Sequence, residues 1–228
     1  MSILFNNSFD KLPDNFYSKI EPEKTKEYKK IIINNSLCKD LGVDFNYLNS
    51  EEGLQILSGN HTPENASPLA MVYAGHQFGN WVPQLGDGRA VLLGELLDKK
   101  KQRFDFQLKG SGKTPYSRGG DGKAWLGPVI REYIISEYMN NINIPTTRSL
   151  AAMYTGEDVY REQVYPGAVL CRVAKGHIRV GTFQYFAARN DAQALEALLQ
   201  QARARHFGAA QTVEQFLIAA VAAQARLI

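Results

Sequence analysis

Cysteine is scarce in this sequence: Cys38 and Cys171 are the two cysteines among 228 residues. They lie far apart and form neither a metal-ligand spacing nor a redox motif. Such sparse usage argues against a small secreted domain held by disulfides and against a zinc site built on cysteine. We expect two free thiols in a reducing compartment, with a disulfide between them as the less favoured alternative.

Long apolar runs and a strong excess of one charge are also missing. No stretch reaches the roughly 20 apolar residues of a membrane span, and the N-terminus lacks the basic and apolar regions of a signal peptide. We therefore expect a cytoplasmic protein that does not associate with membranes. The net charge of +3 suits an anionic small ligand as well as nucleic acid, but no nucleic-acid-binding signature is present, so we expect no nucleic-acid partner.

Apolar residues are plentiful enough for a folded core, at 44% hydrophobic against 21% charged. This composition is typical of a globular protein rather than a disordered one. A length of 228 residues allows one large domain or two small ones. In the first part of the chain, Ser50 followed by two glutamates predicts a helix start, and Gly59 predicts its end.

The stretch from Gln84 to Glu132 carries the strongest functional signal. It contains the glycine turn Gly86-Asp87-Gly88, an apolar strand, a charged hairpin and a second strand in which residues 103–108 alternate between polar and apolar. Lys109 ends that strand, a glycine-rich loop follows, and a helix then carries Glu132. Flexible glycines, a strand lysine and a helix glutamate are parts that kinase-like nucleotide sites use. Their order predicts a nucleotide site.

A different phosphate motif is suggested by Gly112-Lys113-Thr114, which resembles the end of a Walker A loop. That motif requires a glycine five residues earlier, where this sequence has Gln107, and a helix directly after the threonine. Pro115 and a polar loop follow instead. We therefore do not expect a P-loop here.

Two nearby features have competing interpretations. His76, between Gly75 and Gly79, could be catalytic, but we favour a histidine held by hydrogen bonds in a tight, buried turn. The helix that carries Glu132 has apolar residues at i, i+3, i+4 and i+8, which predicts that one face is buried. These residues are Ile130, Tyr133, Ile134 and Tyr138.

Residues 146–179 are predicted to form strands, with turns at 155–158 and 165–167. Arg172 and Arg179 flank a further lysine and a histidine, which is typical of either a solvated face or a phosphate site. After Ala187 the chain is rich in alanine, with a pattern of two short amphipathic helices. The pattern stops without a cap at Ile228, which we interpret as a truncated or fused chain.

Taken together, these segments resemble the selenoprotein O family, also called YdiU, of kinase-like protein adenylyltransferases, over its N-terminal portion. The likeness covers most of residues 12–188 in order and fades from about Asn190. The segments that carry it are NASPLAMVYAGHQFGNWVPQLGDGRAVLLGE, LKGSGKTPYSRGGDGKA, IREYIISEYM, IPTTRSLAAMYTGEDVYRE and PGAVLCRVAKGHIRVGTFQYFAA.

The resemblance implies an α+β fold: a protein-kinase-like N-terminal lobe with an antiparallel sheet and a regulatory-type helix, truncated before the C-terminal lobe is complete. It implies residues 1–83 as an extension packed on the lobe, 84–188 as the nucleotide-binding lobe, and 189–228 as the start of a truncated C-lobe or a fused tail. The implied activity is transfer of AMP from ATP, bound in a flipped orientation, to Ser, Thr or Tyr hydroxyls of proteins.

The resemblance also assigns residues to the nucleotide site. Lys109 is implied to contact phosphate, and Glu132 to pair with it. The other implied nucleotide-binding residues are Gly86, Gly88, Arg89, Asp121, Gly122, Arg172 and Arg179. The implied cofactors are ATP and Mg²⁺ or Mn²⁺.

The chain departs from the family pattern in its second half. The resemblance implies a catalytic aspartate and metal ligands in a later part of the protein, so we expect no catalytic residue and no metal ligand here. The chain alone is expected to be inactive or nearly so, and to self-associate through an apolar surface left exposed. The alternative is a nucleotide-binding pseudokinase scaffold without turnover.

Overall fold

The computed structural model describes residues 3–227. Within that range the regular structure comprises ten strands, seven α-helices and two short 3-10 helices at Phe9–Lys11 and Asp14–Phe16. The strands are β1 (Tyr17–Lys19), β2 (Lys29–Ile33), β3 (Leu69–Met71), β4 (Gly75–Gln77), β5 (Asn80–Val82), β6 (Ala90–Leu97), β7 (Arg103–Lys109), β8 (Ala124–Trp125), β9 (Arg148–Tyr160) and β10 (Val164–Ala174). The helices are α1 (Asn35–Leu41), α2 (Phe45–Leu48), α3 (Glu51–Ser58), α4 (Leu126–Asn141), α5 (Val180–Ala187), α6 (Ala192–His206) and α7 (Val213–Ala225).

Eight of the strands form one antiparallel sheet in the order β1-β3-β6-β7-β10-β9-β2, with β8 paired to β10. Strands from the first 83 residues therefore share a sheet with strands from the predicted nucleotide-binding region. β7 lies between β6 and β10, so that Lys109 is opposite Ala90 on one side and Leu170 on the other. The antiparallel α+β architecture expected from the sequence is present.

The central strand β7 is more deeply buried than its pattern predicted. Alternation in β7 predicted a half-buried strand, yet the four residues from Asp105 to Leu108 are all buried. Asp105 and Gln107 are fully enclosed. A buried polar group is stable only with hydrogen-bond partners, and each of these side chains has them, as described below.

Helix ends follow the sequence signals where capping chemistry is local. The Ser50 hydroxyl accepts a hydrogen bond from the backbone N–H of Gly53 at 3.3 Å, and α3 starts at Glu51. Gly59 ends α3 with a left-handed φ of 88°, a conformation that glycine adopts without a Cβ clash. Both predicted ends of this helix are confirmed.

The predicted buried face of α4 is wrong in part. Ile134 and Tyr138 are each 58% exposed, whereas Ser136 is buried. The side that packs on the sheet comprises Val129, Ile130 and Tyr133. Ser136 also lies on this side, where its hydroxyl is hydrogen-bonded to that of Ser149 on β9 at 2.8 Å. This partner allows a polar side chain to be buried.

β9 and β10 form a long hairpin whose turn lies at residues 161–163. The turns predicted at 155–158 and 165–167 are wrong, because both segments continue the strands. Gly156 takes a φ of 69°, and the register shifts between Pro166 and Ala168. A bulge lets a strand bend without ending, so turn-forming residues here mark irregularities rather than reversals.

The two helices predicted in the alanine-rich segment are present as α6 and α7. α6 packs against the body of the protein, where Leu198 joins a core cluster with Phe9, Phe16 and Phe186. α7 instead presents several apolar side chains that are 55–66% exposed, namely Val213, Leu217, Ile218 and Val221. Across residues 3–227, none of the helices has the length and apolar character needed to cross a bilayer.

Candidate functional site

A cavity of about 480 Å³ opens beside the glycine turn, between the ends of β7 and β10 and the start of α5. The sheet brings these elements together because β6, β7 and β10 are neighbours in it. Six of the predicted site residues line this cavity: Gly86, Gly88, Arg89, Lys109, Arg172 and Arg179. Residues spread over nearly a hundred positions of sequence thus converge on one space.

Positive charge dominates the cavity wall. Five cationic side chains line it, and Asp87 is the carboxylate among the lining residues. Arg118 is the one cation of the five that the sequence did not identify. Cations that converge on one space and outnumber the nearby carboxylates stabilise a polyanion. The cavity is therefore suited to a phosphate chain.

Lys109 and Glu132 form the predicted ion pair, which joins the end of β7 to α4. Burial lowers the pKa of Lys109, and Arg172 and Arg89 lower it further, while the bond to Glu132 opposes these effects. Glu132 also lies 3.4 Å from the Arg172 guanidinium. One carboxylate therefore orients two cations toward the cavity.

Arg172 is held from several sides. Its guanidinium donates to the side-chain oxygen of Gln107, the residue opposite it on β7. The amide of Gln107 in turn donates to Asp87 at 3.1 Å. Burial lowers the pKa of Arg172, and its Nε has no hydrogen-bond partner among the described residues. The chain from Asp87 through Gln107 fixes this arginine at the cavity wall.

Arg179 lies immediately before α5 and is more exposed than Arg172. Its guanidinium stacks over the ring of Tyr73, 4.7 Å from the centroid, and approaches Asp87 at 4.0 Å. Its backbone N–H donates to the hydroxyl of Thr182 at 3.2 Å, which fixes the helix start. Burial raises the pKa of Asp87, whereas the cations Arg179 and Arg172 oppose that rise.

Both positions of the glycine turn require glycine, because the turn packs closely against the loop that follows β7. A Cβ on Gly86 would lie 2.3 Å from the ring of Tyr116, and one on Gly88 would lie 2.6 Å from the Tyr116 carbonyl oxygen. The hydroxyls of Thr114 and Ser117 both donate to carbonyl oxygens of the turn, at 2.7 Å. The glycines therefore allow two loops to meet at the cavity rim.

Asp121 and Gly122 are not among the residues that line the cavity. The carboxylate of Asp121 pairs with Arg161 at 2.8 and 2.9 Å, and Arg161 is the first cause of its lowered pKa. Gly122 has a φ of 68° and packs against Gly112, where a Cβ would meet the carbonyl oxygen at 1.8 Å. These contacts shape the loop, and a direct role in binding stays a prediction.

The Gly112-Lys113-Thr114 segment does not form a P-loop, as the sequence context indicated. Lys113 is exposed and does not line the cavity. Thr114 is buried and bonded to the Asp87 carbonyl, and the next helix, α4, begins only at Leu126. This segment supports the glycine turn.

His76 contradicts the favoured interpretation of a buried histidine. It is exposed on the β4–β5 hairpin, faces Trp81 with ring centroids 5.2 Å apart, and lines the cavity. Gln77 beside it accepts a hydrogen bond from Arg118 at 3.1 Å. Local glycines indicated a turn, but they could not show that the hairpin borders the site.

Between residues 3 and 227 no group of three or more His, Cys, Asp or Glu side chains is arranged to hold a metal ion. The site as described offers cations and backbone for an anion.

An antiparallel sheet whose central strands and adjoining helix converge on a cation-lined cavity is an arrangement suited to an anionic ligand. Comparison with known families then gives a specific result. The family model described as protein adenylyltransferase SelO matches residues 1–228, and the chain belongs to this family. The match extends through the alanine-rich segment, so the expectation that the likeness fades after Asn190 is wrong.

Curated relatives agree with the family model. The chain is 54% identical to a protein nucleotidyltransferase YdiU of Nitrobacter hamburgensis over 99% of this chain and 45% of the relative. It is 58% identical to that of Rhodopseudomonas palustris strain BisB5 over 89% of this chain and 41% of the relative. A Bradyrhizobium relative is 55% identical over 98% and 46%. The chain thus spans less than half the length of these relatives.

Proposed function

We propose that this chain is the nucleotide-binding part of a protein adenylyltransferase. In this proposal residues 84–188 form a kinase-like N-terminal lobe, residues 1–83 support it, and residues 189–228 begin the following lobe. The observation that carries the proposal is the shared pairing of Lys109 and Arg172 with Glu132 at the wall of one cavity. Family membership supports the same assignment.

ATP fits the charge of this cavity. A triphosphate carries a dense negative charge, which lysine meets as a point charge and arginine as a planar fork with two donors. We assign Lys109 and Arg172 to the phosphates, with Arg89 and Arg179 completing the cationic wall. Glu132 keeps the two inner cations in place without ligand, so that little reorganisation is needed on binding.

The whole protein is proposed to transfer AMP to proteins. A Ser, Thr or Tyr hydroxyl oxygen attacks the α-phosphorus, and the bond from that phosphorus to the oxygen bridging to the β-phosphate breaks. Pyrophosphate leaves, and the hydroxyl proton passes to a general base, which we assign to the catalytic aspartate outside this chain. The residues described here would hold the phosphates and neutralise their charge, which is the main protein contribution in phosphate-transfer chemistry.

Mg²⁺ or Mn²⁺ belongs to this proposal as a cofactor of the whole protein. When bound, such an ion neutralises phosphate charge. Because the described residues provide no ligand cluster, we assign its ligands, together with the catalytic aspartate, to the part of the relatives that this chain does not cover. We also place the protein in the cytoplasm, and propose that the exposed apolar side of α7 causes the chain alone to self-associate.

Calorimetry with ATP, in the presence and absence of Mg²⁺, tests the nucleotide site. Lys109→Met removes one of the five cations that line the cavity. Lys113→Met is the matched control, because Lys113 is exposed and lies outside the cavity. We expect the wild-type chain and Lys113→Met to bind ATP without a metal requirement. Lys109→Met should bind at least about tenfold more weakly, since a charged hydrogen bond contributes roughly 1.5–3 kcal/mol.

Two results would overturn this proposal. If neither the wild type nor the control binds ATP, the described residues do not form a nucleotide site. If all three proteins bind with equal affinity, the nucleotide lies away from Lys109 and the assignment of the cavity is wrong.

A further inference from the structure

Two carboxylates are buried opposite each other on the central strands. Glu95 on β6 is paired in register with Asp105 on β7, and each side chain is 1% exposed. Like charges directly opposite in a sheet destabilise it, and a buried carboxylate needs a cation or several donors. The nucleotide site does not use either residue, so this pair requires a separate explanation.

Arg103 lies 3.0 Å from Glu95, and Arg205 of α6 supplies a second positive charge that reaches both carboxylates. Its guanidinium lies 3.3 Å from Glu95 and donates to Asp105, and its side chain is only 3% exposed. Its Nε donates to the backbone carbonyl of Lys175 at 2.7 Å. An arginine from the alanine-rich segment therefore contacts the side chains of two neighbouring strands and is also bonded to the segment after β10.

His177 takes the other oxygen of Asp105. Its backbone N–H donates to that oxygen at 2.8 Å, and its ring Nδ1 lies 2.8 Å from the same atom. An ionised carboxylate only accepts hydrogen bonds, so Nδ1 carries a proton. Burial raises the pKa of Asp105, but the bonds from His177 and the charge of Arg205 outweigh it and hold the pKa below its usual range.

These contacts fix the segment between the two arginines at the cavity. β10 ends at Ala174, and Arg179 immediately precedes α5. Lys175 and His177 lie in the connection and are both bound to the cluster. His177 is thus bound to β7 two residues before Arg179.

We propose that His177 is a positioning residue for Arg179, and that Asp105 and Arg205 hold it in place, so that α6 supports the phosphate end of the nucleotide site. This inference rests on the proposed nucleotide binding. It assigns a function to a buried histidine that is not among the residues lining the cavity.

A double-mutant cycle between His177 and Arg179 tests the inference. His177→Ala and Arg179→Ala should each weaken ATP binding about tenfold in calorimetry, whereas the double variant should be no weaker than Arg179→Ala alone, because His177 acts through that arginine. Adenosine, which lacks phosphates, should bind the wild type and His177→Ala equally. His177→Asn, whose amide can replace the Nδ1 donor, should restore ATP affinity to within about threefold of the wild type.

A purely structural histidine gives a different pattern. Losses of ATP affinity that add in the double variant, or equal losses for ATP and adenosine, would overturn the positioning role while leaving the nucleotide site intact. If His177→Ala fails to fold, the Asn and Gln variants decide the question: Gln moves the donor away from the Nδ1 position, so equal affinity of the two variants contradicts the inference. Absence of ATP binding by the wild type would overturn the proposed function and this inference together.

Discussion

Glu132 on α4 binds Lys109 on β7 across 23 residues of sequence, and the same carboxylate lies 3.4 Å from Arg172 on β10. The helix and two strands are thus tied together at a single acidic side chain. Because the cations would repel each other without it, Glu132 determines whether both can face the cavity.

Replacing Glu132 by Gln should weaken ATP binding about fivefold, since both cations lose the partner that orients them. The free energy of unfolding should change by less than about 1 kcal/mol, because partly exposed ion pairs contribute little to stability. Calorimetry and urea unfolding measure the two effects. Arg131→Gln, at the exposed neighbouring residue, is the control, and equal ATP affinity of the two variants would contradict the assigned role.

Gly86→Ala should destabilise the protein by about 2–3 kcal/mol. It places a Cβ at a φ of 65° and only 2.3 Å from the Tyr116 ring, so backbone strain and a clash act together. Gly119→Ala is the matched control, with a φ of 81° and no atom within 4 Å of the new Cβ; it should cost about 1 kcal/mol. Equal losses in denaturant unfolding would show that the Tyr116 contact is unimportant.

Stability should fall in acid through Glu137. Burial acts to raise its pKa, but hydrogen bonds from Arg148 at 2.7 and 2.9 Å and from the Ser149 N–H outweigh it, and the folded pKa lies below the ordinary 4.5. A depressed folded pKa stabilises the protein above the unfolded pKa, and this contribution is lost as pH falls through the folded value. The loss should therefore develop below about pH 4.5.

Urea unfolding from pH 3 to 7 measures this dependence. Glu137→Gln should be less stable than the wild type by about 2 kcal/mol at pH 7, because it leaves Arg148 without a charged partner. The difference should shrink as the wild-type carboxylate becomes protonated. A constant difference across the range would mean that Glu137 does not titrate with folding.

Both cysteines should resist thiol reagents in the folded protein. Cys38 and Cys171 are free and fully buried, and burial raises the pKa of Cys38 to about 11. The thiolate is the reactive form, so alkylation at pH 8 should be slow until denaturant is added, when two thiols should react. Mass spectrometry of alkylated protein measures this, and rapid labelling without denaturant would contradict the described burial.

Sequence reasoning identified the parts of the site that follow from local order. Lys109 and Glu132 were found because a strand, a loop and a helix succeed one another in the chain. Gln107 was not recognised as the partner of Arg172, since that contact depends on the register of β7 with β10. His76 was missed as a lining residue because the direction of its short hairpin is set by tertiary packing, and Arg118 because its loop meets that hairpin only in the folded protein.

In the fold too, features with local causes were predicted from the sequence, whereas features that depend on distant contacts were not. Capping residues predicted α3 correctly, because hydrogen bonds within one turn decide where a helix starts and ends. The burial of Ser136 was not predictable, since its partner Ser149 is on another element. Turn-forming residues in β9 and β10 were misleading because a bulged strand uses the same residue types as a turn.

The contact of Arg205 with both Glu95 and Asp105 has a consequence for the order in which the protein can fold during synthesis. Asp105 leaves the ribosome 100 residues before the arginine that neutralises it. Glu95 already has Arg103 and the donors of Ser8 and Phe9 as partners, but until α6 has emerged, closing the sheet would bury Asp105 without its arginine. The central strands are therefore expected to reach their final packing late, after residue 205 has been added, although they are among the earlier parts of the chain to be made.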